Sequence, residues 1–287
     1  MGVNGLRDIY ARPERVLSVE FWPPKTERGE QNLFGELERL RKLNPAYCSM
    51  TYGAGGSTRD KTVELVHRFE REHGVDMMCH LTVVDQSRAE VRGVLDRLES
   101  YGVRNIIALG GDPAPGTEWA PHADGFRYAQ ELVTEAADRF SVAVAGFPEV
   151  HPRAESRESD LRHLKAKVDA GACVVITQLF FDNADYYRFV ADARRIGIEV
   201  PIVPGMLPIR SAAQARRFTA MCGARIPPAL DRRLAAVQDD DAAAVALGID
   251  YTTEQCEQLL EFGVPGFHFY SLNQADALLE IHSRLGL

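Results

Sequence analysis

The stretch Val16-Leu17-Ser18-Val19-Glu20-Phe21-Trp22-Pro23-Pro24 decides the fold. Val16 to Phe21 is an apolar, β-branched run of strand length, and the residues directly behind it separate two architectures. An open, doubly wound sheet that holds a dinucleotide needs a glycine-rich turn behind its first strand; Trp22-Pro23-Pro24 stands in that place here. A closed parallel barrel makes no such demand. Its strands are buried on both faces and read as continuous apolar runs, each followed by an amphipathic helix.

Working outward, runs of the same kind recur at 47–51, 77–83, 105–109, 142–147, 174–181, 200–203 and 266–270, which with the first makes eight. Helical periodicity fills the intervals near 29–43, 59–73, 89–101, 125–139, 160–169, 184–196 and 212–221, and closes the chain at 274–285. The interval 225–262 exceeds a simple crossover and predicts two extra helices, near 228–237 and 240–262. Ser57-x-x-Asp60, Ser87-x-x-Glu90 and Ser211-x-x-Gln214 have the form of capping boxes at helix starts. Gly74, Gly102, Gly171 and Gly197 follow helices where a left-handed residue is wanted. The pattern predicts an α/β protein, a (β/α)8 barrel of the TIM type with extra helices before the eighth strand. It forms one catalytic domain over 1–287, with residues 1–14 as an N-terminal extension.

Composition narrows the function. With 45% hydrophobic and 26% charged residues the chain can bury a full core without disulfides or a structural metal. A net charge of −8 argues against nucleic-acid backbones and anionic membranes as partners, since phosphates are repelled. Cys48, Cys79, Cys173, Cys222 and Cys256 are scattered, and no two have C-x-x-C spacing, which argues against a zinc site and a disulfide framework and for a reducing compartment. Residues 1–14 carry charges but no apolar signal segment, and no run reaches membrane-spanning length, so a cytoplasmic enzyme is expected.

The C-terminal ends of barrel strands and the loops behind them form the active-site face, and polar residues concentrate there. The first six strands end on Glu20; Thr51-Tyr52 with Gly53–Gly56; His80; Gly110-Gly111-Asp112; Phe147 to His151; and Gln178. Glu20 lies between Val19 and Phe21, where a carboxylate is costly unless it faces a polar pocket or stays protonated. Burial raises its pKa, which suits a general acid near neutral pH; an ion pair inside the barrel is the equal alternative. Asp112 follows two glycines that let backbone approach a flat ligand, or it caps a helix as a turn carboxylate. His80 donates either to a phosphate or ring carbonyl, or to a structural partner. Gly53–Gly56 can cradle a phosphate, but no G-x-x-x-x-G-K-[ST] is present and a nucleotide P-loop is excluded. His151 is followed by Asp160 and Lys167, whose spacing puts them on one helix face. They hold a ribose and a phosphate, or form a solvated, salt-bridged surface. The acidic run at 239–241 reads as a helix start. Neither metal-ligand spacing nor a nucleophile–base signature appears.

Taken together, nine segments resemble the methylenetetrahydrofolate reductase family: SVEFWPP at 18–24, TYGA at 51–54, HLT at 80–82, ALGGDP at 108–113, FPEVHP at 147–152, KVDAGA at 167–172, ITQLFF at 176–181, PGMLP at 204–208 and VPGFHFYSLN at 264–273. They run in family order across about residues 16 to 287. The resemblance implies a flavin-containing barrel that reduces 5,10-methylenetetrahydrofolate to 5-methyltetrahydrofolate in one-carbon metabolism and methionine synthesis. NADH or NADPH supplies electrons through FAD in a ping-pong sequence. Glu20 falls on the family's acid and Asp112 on the residue near flavin and pterin. Thr51, Tyr52, His80, Gly110, Gly111, Tyr128, Ala129, Phe147, His151, Asp160 and Lys167 fall on flavin-contacting positions. Gln178, Gln214, Phe218 and Gln274 fall on the folate site.

Three departures stand out. Gly110 replaces an arginine usual after the fourth strand, Phe147 replaces a tyrosine found in many members, and Gln274 replaces an arginine seen in some. Loss of a charged hydrogen bond costs about 1.5–3 kcal/mol, so looser flavin retention is expected. Flavin-free hydride transfer from the nicotinamide is one alternative, and a non-catalytic folate-binding paralogue is another. The chain ends after one barrel, which implies a bacterial-type enzyme without the S-adenosylmethionine-binding regulatory domain. A homodimer or homotetramer is implied.

Overall fold

The computed structural model describes residues 4–52, 58–113 and 116–287. The strands β1 Val16–Phe21, β2 Tyr47–Met50, β3 Met77–Thr82, β4 Asn105–Leu109, β5 Ser141–Gly146, β6 Val174–Thr177, β7 Ile202–Val203, β8 Gly205–Met206 and β9 Gly266–Tyr270 form one parallel sheet. Its order is β7-β6-β5-β4-β3-β2-β1-β9-β8. β7 and β8 are two halves of one stave broken at Pro204, which has no N–H to give a ladder. Val203 pairs with Ile176 of β6, Met206 pairs with Phe269 of β9, and Pro204 O accepts from His268 N at 3.0 Å. The sheet thereby closes into a (β/α)8 barrel.

Around it lie α2 Glu27–Leu40, α3 Arg59–His73, α4 Arg88–Ser100, α5 Ala129–Ala136, α6 Arg157–Asp169, α7 Asn183–Arg195, α8 Ala212–Cys222, α9 Pro228–Ala236, α10 Asp241–Phe262 and α11 Asp276–Leu285. α9 and α10 are the extra pair expected before the last strand. Strand residues alternate: Val19, Phe21, Cys48, Met50, Cys79 and Leu81 pack outward in the main core beneath the helices. Tyr47, Met78, Ile107, Ala143, Ile176 and Val203 fill the lower interior.

Residues 1–14, read as an N-terminal extension, contain the helix α1 Leu6–Tyr10. Leu6 and Ile9 are buried in the lower interior cluster, and Leu6 N donates to Asn105 Oδ1 at 2.8 Å. α1 is the plug of the barrel's N-terminal end. Two other segments are shorter than expected. The apolar run 174–181 leaves the sheet at Thr177 because Leu179 and Phe181 pack against Ala212, Ala215 and Phe218 of α8. Helix 125–139 shrinks to α5, with Gly125 held in an antiparallel bridge to Ser87.

The Ser87–Glu90 capping box is complete. Ser211 Oγ accepts from Gln214 N as expected, but Gln214 Oε1 reaches Arg210 N rather than Ser211 N. Ser57 lies outside the described residues. Gly74, Gly102, Gly171 and Gly197 all have positive φ. The five cysteines are free thiols.

Candidate active site

Glu20 sits one residue from the end of β1 with its side chain inside the barrel, 6% exposed. Its inward neighbours come from strands distant in sequence. Oε2 lies 3.2 Å from His80 Nε2 of β3 and 3.5 Å from His268 Nε2 of β9, and Oε1 accepts from Trp22 Nε1 at 3.4 Å. The His80 approach is at ion-pair distance but lacks the angle of a hydrogen bond, and Nε2 has no hydrogen-bond partner among the described residues. Behind His268, Nδ1 meets Ser18 Oγ at 2.8 Å, completing a Ser18–His268–Glu20 chain.

Burial pushes the Glu20 pKa up. The hydrogen bond from His268 and the charge of His80 outweigh it and hold the carboxyl down at about 2. The sequence expectation of a raised pKa is therefore reversed. Val19 and Phe21 face the helices, and the residues that set the carboxyl's environment are two imidazoles.

His268 carries no role in the sequence reading, although it lies within the 264–273 segment. Its signal was a polar residue in an apolar strand that pairs with β1 only when the barrel closes, with Ser18 opposite His268 and Glu20 opposite Tyr270. Tyr270 OH donates across to Thr177 O at 2.6 Å. Gly205 makes room for that bond, since a Cβ there would lie 2.2 Å from Thr177 O and 2.4 Å from the Tyr270 hydroxyl. Ser271 Oγ donates to Glu20 O at 2.5 Å, fixing the rim beside the acid.

The other candidates line the same C-terminal face. Thr51 and Tyr52 follow β2; Thr51 O accepts from Thr62 Oγ1 at 2.9 Å, and burial pushes the Tyr52 phenol up. Gly53–Gly56 lie outside the described residues. After β4, Gly111 has φ +80°, and a Cβ on it would lie 2.5 Å from Val84 Cγ1, so glycine is required there. Gly110 is not in that region of φ. Asp112 is exposed and caps no helix, because α5 does not begin until Ala129. Of its two readings, the cap falls. Tyr128 is the N-cap residue of α5, is 59% exposed and stacks on His163 at 5.9 Å. Ala129 opens the helix half-buried.

Phe147 meets His151 edge-on at 4.5 Å. His151 N donates to Asp160 Oδ2 at 2.9 Å, and burial lowers the imidazole pKa. Lys167 points from α6 to the strand end, where Nζ donates to Ala145 O at 2.7 Å. Burial lowers its pKa to about 8 against the pull of Asp160. No salt bridge of Lys167 occurs among the described residues, so the solvated, salt-bridged reading of this face does not hold.

After β6, Gln178 Oε1 accepts from Leu179 N at 2.8 Å. Gln214 Oε1 accepts from Arg210 N at 2.7 Å, leaving a buried Nε2 without partner among the described residues. Phe218 is buried edge-on to Trp22 at 5.8 Å. Gln274 is exposed and, with Arg210, Tyr270 and Ser271, lines a cavity of about 120 Å³. The structure thus brings His80 and His268 to Glu20 and leaves the other described candidates on the strand ends, loops and helices around them.

Fold and site together define a TIM-type barrel with an acid–imidazole centre at its C-terminal mouth. Residues 5–286 match the family model of methylenetetrahydrofolate reductase, and the chain belongs to that family. It is 38% identical to 5,10-methylenetetrahydrofolate reductase of Escherichia coli (strain K12), over 94% of this chain and 90% of that one. It is also 38% identical to methylenetetrahydrofolate reductase (NADH) 1 of Arabidopsis thaliana, over 99% of this chain and 50% of the relative. The chain therefore spans about half the length of its plant relatives. Among solved structures, an uncharacterised protein of Clostridium thermocellum, described as binding two copies of 5-methyl-5,6,7,8-tetrahydrofolic acid, superposes with a TM-score of 0.66. The match covers 97% of this chain and 96% of that one at 16% identity, a likeness of fold.

Proposed function

We propose that this chain reduces 5,10-methylenetetrahydrofolate to 5-methyltetrahydrofolate with NADH or NADPH as hydride donor, through bound FAD in a ping-pong sequence. The observation that carries the reading is Glu20, a carboxyl buried at the barrel mouth between His80 and His268 in a chain of this family. In this reading Thr51, Tyr52, His80, Gly110, Gly111, Asp112, Tyr128, Ala129, Phe147, His151, Asp160 and Lys167 hold the flavin. The site suits such a group: Thr82 Oγ1, two residues after His80 on β3, and Gln214 Nε2 are buried without hydrogen-bond partners among the described residues, and a bound ligand is one way to satisfy buried polar atoms of that kind. Held by these residues, the flavin would supply a hydride carrier between nicotinamide and folate.

The residues of the chain bind, orient and move a proton. Glu20 delivers a proton to the folate nitrogen whose bond to the methylene carbon breaks. The electron pair of that bond goes to the nitrogen, and the carbon, now an iminium, takes the hydride. The proton must sit on Glu20 at that moment, whereas the contacts with His268 and His80 lower the carboxyl's pKa. Both contacts are long, at 3.2 and 3.5 Å. A small shift of the carboxyl toward the folate weakens both and leaves burial, which favours the protonated form.

Gln178 and Gln214 each have their side-chain oxygen committed to backbone N–H, so each presents its amide donor to the pterin and its carbonyl tail. Phe218 gives an aromatic face, and Gln274 lies where the tail leaves the site. A cytoplasmic homodimer or homotetramer belongs to the same reading.

The test is anaerobic incubation with methylenetetrahydrofolate and each nicotinamide, with the folate product identified by chromatography. Formation of 5-methyltetrahydrofolate with equimolar loss of reduced nicotinamide supports the reading. Folate binding without turnover, with FAD supplied, supports the non-catalytic alternative. Gly110 and Phe147 favour a second reading, in which hydride passes directly from nicotinamide to folate; turnover by colourless, flavin-free protein supports it.

A further inference from the structure

Arg153, in the loop between β5 and α6, is a cation of the mouth that the family pattern does not assign. Its guanidinium lies over the Trp119 ring, 5.2 Å from the centroid, and Nη2 reaches Gly111 O at a long 3.4 Å. Its backbone N donates to His151 Nδ1 at 3.0 Å, which ties the loop to the imidazole. It forms no salt bridge among the described residues, unlike Arg157, whose Nε pairs with Asp192 at 2.7 Å. A guanidinium laid on an aromatic face with most of its N–H groups free is pre-organised to grip an oxyanion.

Gly110 explains how the group reaches that place. The backbone there does not require glycine, since Gly110 is absent from the positive-φ residues. A Cβ at 110 would have a single atom within 4 Å, Arg153 Nη2 at 3.7 Å. A longer side chain at 110 and the guanidinium of Arg153 would compete for one volume. His151, whose pKa responds to Asp160, Arg153, Lys167 and Asp112, shows that these charges share one field. Lys167 is the other cation of the group.

We propose that Arg153 binds a phosphate of the phosphorylated flavin, supplying across the barrel mouth a cation that strand β4 does not carry. The inference rests on the flavin reading above and deepens it. Arg153 reaches the ligand from the β5 loop, and the bare Gly110 gives it room.

The test is fluorescence titration of the full chain with FAD and, separately, with riboflavin, which has the same ring and no phosphate. Arg153→Ala is expected to weaken FAD about tenfold or more, the size of a lost charge-assisted hydrogen bond. Riboflavin affinity should be unchanged. Gly110→Arg placed in the Arg153→Ala background should restore most of the FAD affinity, because the new side chain enters the vacated volume. Wild-type protein that binds no FAD overturns the flavin reading itself. Wild-type binding with an equal affinity in Arg153→Ala overturns the role of Arg153 alone. Equal losses for FAD and riboflavin show that the substitution acts through Trp119 packing and overturn the phosphate contact.

Discussion

His80 Nε2 stands 3.2 Å from Glu20 Oε2, and its charge, with the hydrogen bond from His268, holds the carboxyl's pKa down. In the proposed sequence the folate half-reaction alone draws on the Glu20 proton. Glu20→Gln keeps the shape and removes the proton. Reduction of methylenetetrahydrofolate by pre-reduced enzyme should fall by about 10²–10⁴-fold, the usual contribution of general acid catalysis. Flavin reduction by NADH should keep its rate. Rapid-mixing measurement of the two half-reactions separates them, and an equal fall in both would rule out the acid role.

Glu70 of α3 gives a prediction for stability. It accepts from Met77 N at 3.2 Å, but burial pushes its pKa up to about 7, with Asp76 adding to the rise. Between the usual carboxylate value and about 7 the folded state binds more protons than the unfolded chain, so stability falls as pH rises through that window. Glu70→Gln removes the titration. Its thermal unfolding should match wild type at the acidic end and exceed it above neutrality by about 1–3 kcal/mol. Parallel pH dependences for the two proteins would contradict the assignment.

The N-terminal plug makes a third case. Leu6 is fully buried under the barrel, and Leu6→Ala leaves a cavity there. Losses of about 2–5 kcal/mol are usual for such a change, and denaturant unfolding should show a loss in that range. A loss near zero would mean that α1 is an appendage and not part of the core.

The barrel was legible in the sequence because its strands are buried on both faces, and Val16 to Phe21 announces this in six residues. Limits came where apolar runs serve another layer. Leu179 and Phe181 continue the β6 pattern yet pack on α8, which run length alone cannot distinguish. α1 carries only two buried apolar side chains among its charges, too few for a periodic signal.

At the site, Glu20 was found from its apolar neighbours, but those neighbours point away from it. The residues that set its charge, His80 and His268, arrive from β3 and β9. Strand-end position identified His80; closure of the barrel was needed to identify His268. Arg153 was hidden for the same reason, since its relation to Gly110 exists only between the loops of adjacent strands.

The central claim, that a nicotinamide reduces a bound flavin which the folate reoxidises, meets its most direct test in the visible spectrum of the purified protein. The spectrum is recorded without oxygen, before and after NADH and again after methylenetetrahydrofolate. A flavin band is expected that bleaches on adding the nicotinamide and returns on adding the folate. No band even with FAD supplied, or a band that NADH leaves unchanged, would contradict it.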